Sequence, residues 1–294
     1  MTTFYAIRKK LPIIGSFFVV KIAILRYYTK VIGIITERKM VYDDFVGNML
    51  QTQIDALYSK IKTLKYDDTN GILYLTSEVE KLSSRYKENT ELLILMTRMQ
   101  IYNSQEQRAR AIANRVWQFG GNIRVQYEKM YLRDLINLGL VDMAAILLRS
   151  RFADLPANIG IFSLEMINFA LITGNIPLLK KIIAERPDNR LFAAMKQFAD
   201  TYEYNRYNRH FANIQKIVLE SVGDMMCGYD FNYYTDRGFT DVEIALYFSN
   251  YDFNLPQYKM LINNKIDGYF LTADSKRIYN LNFVFRKIKD HPIF

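Results

Sequence analysis

Chemistry in a protein rests on a few kinds of side chain, and this 294-residue sequence is sparing with them. It holds two histidines, His210 and His291, and one cysteine, Cys227. Three such groups in unrelated stretches give neither a Cys-x-x-Cys nor a His-Glu-x-x-His spacing, so no zinc centre is expected. A nucleophile pair of Cys227 and His210 gives way to the commoner place of a lone cysteine, a small buried hydrophobe. No glycine-rich phosphate loop, dinucleotide fingerprint or Gly-x-Ser-x-Gly elbow occurs. Carboxylates remain: Asp43-Asp44, Asp67-Asp68, and Asp230 with Asp252, the last two inside a Tyr-Asp-Phe-Asn string that occurs at 229–232 and again at 251–254. Metal-assisted or glycosyl chemistry at Asp230 and Asp252 is the enzymatic reading kept. Adjacent aspartates are common on loops and caps, and the expectation is a protein without catalytic residues, metal or cofactor.

Binding is the better-supplied chemistry. The formal charge of +9 is unevenly spread: residues 1–40 carry +7, 41–88 carry −2, 89–224 carry +4 and 225–294 are neutral. In the middle stretch Arg98, Tyr102, Arg108, Arg110, Arg115, Tyr127, Lys129 and Arg133 are the candidate partner-binding residues, cationic and aromatic, suited to an acidic segment of a protein partner. A solvated helix surface would present the same residues.

The first forty residues form a basic, apolar arm. Between Lys10 and Arg26 lie fifteen mostly apolar residues, one of them Lys21; as a helix they reach about 22 Å, short of the roughly 30 Å of a bilayer core. Basic groups on both flanks leave no orientation to read. No small-residue cleavage site follows before Arg26, Tyr27 and Tyr28, against a signal peptide. Two readings stand: an interfacial arm contacting anionic lipid through Arg8, Lys9, Lys10, Phe17, Phe18, Lys21, Arg26, Tyr27, Tyr28 and Lys30, or a segment packed on the main body. The lone cysteine favours a reducing compartment, which places the protein in the cytoplasm, or on the inner face of a membrane if the arm holds lipid.

The elements that would position the central cations are helices. Asn89, Asn122, Asn158 and Asn189 recur at intervals of 33, 36 and 31, each ahead of an apolar helical pattern and each followed three positions later by Leu92, Val125, Ile161 or Phe192. A second break follows in each unit, at Asn103-Ser104, Gly139, Gly174-Asn175 and Asn205–Asn208, with Ser104 and Gln107 reading as a capping box. The second helices run through Ala109, Ile112 and Val116, then Ala144, Ala145 and Leu148, then Leu179 and Ile182, then Ile214 and Val218. Each unit is thus a pair of antiparallel helices. Residues 72–224 resemble the tetratricopeptide-like family, in which units of about 34 residues stack into a superhelix. The spacing, the inter-helix turn, the small residues Ala144 and Ala145 and the closing proline carry the resemblance, while the family's tryptophan, leucine-glycine and tyrosine positions are not met. The resemblance implies a concave face that binds a peptide or helix. An irregular helical bundle is the alternative.

After Asp224 aromatic residues and asparagine become dense. The two Tyr-Asp-Phe-Asn strings read as loop entries with Asx turns. Thr240-Asp241-Val242-Glu243 reads as a capping box opening a short helix, Pro256 as the start of another. Tyr269–Thr272 and the alternating run Ile278–Ile288 flank a turn and predict a terminal β-hairpin.

The fold expected is therefore mostly α, stacked helix pairs with a small C-terminal α+β segment ending in a hairpin, divided into an arm (1–40), a helical body (41–224) and an aromatic segment (225–294). The function expected is a non-enzymatic adaptor or scaffold. Nucleic-acid binding through the basic arm, and an accessory role in a membrane-linked polysaccharide-synthesis enzyme, are the alternatives.

Overall fold

A computed structural model describes residues 47–120, 123–151, 155–185, 189–204, 208–237, 239–249, 255–272 and 281–288. The chain divides into two compact units, Met1–Ala56 and Leu57–Phe294. In the first, residues 47–56 are helical; the arm of residues 1–40, with every lipid-contact candidate on it, lies outside the described residues.

The second unit is mostly helical with a small three-stranded sheet near its end. After helical residues 57–62 come α1 (Thr69–Arg85), α2 (Thr90–Tyr102), α3 (Glu106–Phe119), α4 (Val125–Asn137), α5 (Val141–Arg151), α6 (Leu155–Ile172), α7 (Ile176–Ala184), α8 (Arg190–Tyr204) and α9 (Asn208–Val222). Side-chain caps open four of them: Asp68 accepts from the Gly71 amide at 2.9 Å, Asn89 from Leu92 at 3.0 Å, Asn175 from Leu178 at 3.0 Å and Asn189 from Leu191 at 2.9 Å. Each satisfies an amide that the first turn leaves without a helical partner.

The helix ends carry a regularity that the asparagines only approximate. Ser104, Gly139 and Gly174, thirty-five residues apart, have φ of 56°, 66° and 65°. At each, the next amide reaches back to the carbonyl three residues from the helix end: Gln105 to Gln100 at 2.9 Å, Leu140 to Leu135 at 2.8 Å, Asn175 to Ala170 at 2.8 Å. This is the Schellman closure, in which one left-handed residue satisfies the orphan carbonyls of the last turn. The same three-residue turn thus closes α2, α4 and α6 and opens α3, α5 and α7, whose first residues, Glu106, Val141 and Ile176, keep the interval of thirty-five. Each pair packs on itself, α2 packs also on α4, and α4 on α6.

Two local expectations fail here, and a third is untested. Asn158 lies inside α6, which begins at Leu155. Ser104 does not cap α3: Gln105 holds that position with no side-chain cap, and Ser104 is the left-handed closing residue of α2. Asn122 lies outside the described residues.

The C-terminal segment differs more. Residues 240–248 form no helix; β2 (Phe239–Phe248) pairs antiparallel with β1 (Met226–Asp236), and Tyr229–Asn232, expected as a loop, lie within β1. The apolar run Ile244–Phe248 is buried throughout because β2 is the central strand. A short continuous apolar run has no periodicity to separate strand from helix. Pro256 does stand at the start of a helix, α10 (Leu255–Thr272), which continues through Tyr269–Thr272 where a strand was expected. The alternating run gives β3 (Leu281–Lys287), but β3 pairs parallel with β2 in place of a terminal hairpin. Parallel pairing needs a long crossover, and α10 is that connection.

Buried polar contacts fasten the sheet to the helices. Arg110 on α3 donates to the carbonyls of Gly223 and Met226 at the entry to β1. Asn137 at the end of α4 accepts from the Tyr229 amide at 3.1 Å, and Thr240 donates to Gln197 on α8 at 2.9 Å.

Candidate functional site

The 35-residue interval sets Arg98 on α2 and Arg133 on α4 at equivalent places in successive helix pairs. Both line one cavity of about 220 Å³, with Tyr58, Ile61, Lys62, Tyr102, Gln126, Lys129 and Met130. Arg98, Tyr102, Lys129 and Arg133 are thus brought together, as residues chosen for one face would be.

Behind the cations lie two carboxylates with no exposure. Arg98 Nε is 2.7 Å from Asp134 Oδ1. Glu165, on α6, pairs with Arg133 and, at 3.7 Å, with Lys129. These pairs link α2 to α4 and α4 to α6, so charge neutralisation and helix stacking are one arrangement. Burial pushes Asp134 up to about 7 even though Arg98 and Arg133 oppose the shift. Desolvation therefore outweighs the attraction at this carboxylate, the usual balance for a charge removed from water. Burial likewise raises the Tyr58 and Tyr102 phenols, again against the pull of Arg98.

The walls are fixed by packing. The Tyr102 hydroxyl donates to the Leu64 carbonyl at 3.2 Å, and its ring lies 4.5 Å from that of Tyr66. Tyr58 packs at 4.8 Å on Tyr127, which is fully buried beneath the guanidinium of Arg124. Tyr127 is therefore a support of the wall and offers nothing to a ligand.

The remaining candidates lie on α3 and do not line this cavity. Arg108 pairs with Glu80 at 3.0 Å, and Arg115 donates to the Lys87 carbonyl at 3.2 Å. Arg110 is buried on backbone carbonyls, a structural use of its charge. Sequence reasoning missed Tyr58, Lys62 and Gln126. The interval from Arg98 to Arg133 was the available signal: one further interval back from Arg98 falls beside Lys62.

The lining offers cations, phenols and an amide, and no carboxylate, histidine or thiol. Such a set attracts negative charge and repels metal cations. Among the described residues no cluster of three or more His, Cys, Asp or Glu is placed to hold a metal. Cys227 and His210 have other partners: Cys227 is buried with its thiol pushed up by desolvation, and donates to the Tyr247 carbonyl at 3.5 Å, while His210 Nδ1 lies 2.7 Å from the Tyr269 hydroxyl. Asp230 is buried within β1 and Asp252 lies outside the described residues. A second cavity, of about 330 Å³, lies among α9, α10, β2 and β3 and mixes Glu243, Lys259, Asn263 and Asn282.

Compared with family models, curated proteins and solved structures, the chain matches none. Among the described residues no helix is long and apolar enough to cross a membrane.

Proposed function

We propose that this protein is a non-enzymatic adaptor whose stacked helix pairs, of the tetratricopeptide-like kind, hold an acidic segment of a protein partner in the cavity between Arg98 and Arg133. One observation carries the reading: four cations, Lys62, Arg98, Lys129 and Arg133, line a cavity whose described lining holds no carboxylate. A repeat whose units touch their neighbours leaves such a face free for a ligand. The closure repeated at Ser104, Gly139 and Gly174 supports the stacked-repeat reading over an irregular bundle.

The test is fluorescence anisotropy with labelled glutamate-rich peptides. Binding is expected, weakening with added salt because rim charges are screened over about 10 Å at 0.1 M. Reversing Lys62 and Lys129 together to glutamate abolishes it, and Arg108→Glu on α3 leaves it intact. Peptide binding indifferent to the double reversal removes the proposal. The +7 arm of residues 1–40 serves in this reading to bring the adaptor to an anionic membrane surface; flotation with phosphatidylserine vesicles separates the full chain from one lacking residues 1–40, and equal flotation of both removes that half.

A further inference from the structure

We infer that the segment held in this cavity presents a phosphate monoester, seated among Lys62, Arg98, Lys129 and Arg133. The inference rests on the reading that the cavity holds an acidic partner segment, and it names the group at that segment's centre.

Charge is the first argument. Asp134 pairs with Arg98, and Glu165 with Arg133 and Lys129, so two carboxylates without exposure stand against four cations. Neither carboxylate lines the cavity, so positive charge is in excess on its walls. A glutamate or aspartate side chain supplies one negative charge, whereas a phosphate monoester supplies about −1.5 to −2 near neutral pH.

Geometry is the second. The cations come from three elements, helical residues 57–62, α2 and α4, and converge on one open cavity of about 220 Å³. A run of carboxylates along an extended peptide would be matched by a stripe of cations at regular rise. A convergent set fits a compact anion whose oxygens point in several directions. Guanidinium groups have the planar donor fork that phosphate oxygens accept, and lysine adds mobile point charge. Lys129 is 40 % exposed at its side chain, and Lys62 is exposed with no ion pair among the described residues. Lys129 holds Glu165 only at 3.7 Å, so both lysines can turn toward a ligand from the rim.

Preorganisation is the third. Asp134 anchors Arg98, and Glu165 anchors Arg133, and neither carboxylate lines the cavity. The two guanidiniums thus stay in place against their mutual repulsion before any ligand arrives, which lowers the ordering cost of binding.

The experiment uses the full chain and four sets of short, glutamate-flanked peptides that differ at one central position: phosphotyrosine, phosphoserine, glutamate or alanine. At least one phosphorylated set is expected to bind about tenfold or more tightly than the glutamate set, as a doubly charged, multiply hydrogen-bonded anion should. The double variant Lys62→Glu, Lys129→Glu loses that preference; Arg108→Glu keeps it, and circular dichroism checks that all three chains are folded alike. Phosphorylated peptides binding no better than glutamate overturn the inference, while glutamate binding above alanine still leaves the adaptor reading in place. A phosphate preference that survives the double reversal also overturns the inference, because the group then sits elsewhere. No binding by any set overturns both.

Discussion

Asp134 shows how a single residue can serve the site and strain the fold at once. Its carboxylate has no exposure and lies 2.7 Å from Arg98 Nε, and burial lifts its pKa from the ordinary 3.8 to about 7. A group whose folded pKa lies above its unfolded value binds the proton more readily in the native state. Folding stability therefore falls as pH rises from about 4 to about 7, the reverse of the behaviour of a carboxylate stabilised by its ion pair. Asp230 acts in the same direction: burial raises it to about 6, against the Phe231 amide and the charges of Arg286 and Arg133. The substitution Asp134→Asn is expected to flatten part of this slope, measured as urea midpoints at several pH values across that window. An unchanged slope would mean that water reaches the carboxylate.

At the scale of elements, the repeated turn is the feature most legible in the sequence and also the most testable. Gly139 and Gly174 announced helix ends, since glycine takes positive φ without steric cost. At the Asn103-Ser104 break the role of Ser104 was hidden, because a serine followed three residues later by a glutamine looks like the beginning of a helix. Ser104 nonetheless adopts φ of 56°, and Ser104→Gly is expected to raise stability by about 0.5–1 kcal/mol in chemical denaturation. Gly174 is the opposite case. A Cβ there would lie 2.5 Å from the Ala212 backbone as well as at positive φ, so Gly174→Ala is expected to cost more than about 2 kcal/mol or to prevent folding. The strands were less legible because β2 is buried on both faces, so its apolar residues run together and lose the alternation that marked β3.

At the scale of the molecule, the helices and the sheet are joined by a few polar contacts between residues far apart in sequence. Arg110 reaches from α3 to the carbonyls of Gly223 and Met226, more than a hundred residues away. Replacing it by methionine keeps most of the buried volume but strands two carbonyls, and Arg110→Met is expected to cost about 2–3 kcal/mol. A small loss would instead assign the docking of β1 mainly to apolar packing around Tyr229 and Phe231. The same substitution should leave peptide binding in the Arg98–Arg133 cavity intact, which separates the structural arginine of α3 from the arginines of α2 and α4.

Composition and local pattern were enough to settle a helical chain, the glycine-marked turns, the cap at Asn89 and a late strand, because capping, turn conformation and amphipathic period act over a few neighbouring residues. They did not settle the partner of that strand, the direction of its pairing or which cations share a cavity. Eight central residues looked equivalent along the chain; packing placed Arg98, Tyr102, Lys129 and Arg133 around one space, set Arg110 and Tyr127 inside, and left Arg108 and Arg115 on α3. That sorting depends on superposing positions thirty-five residues apart and on burying Asp134 and Glu165 behind the arginines, and only the assembled tertiary structure does both.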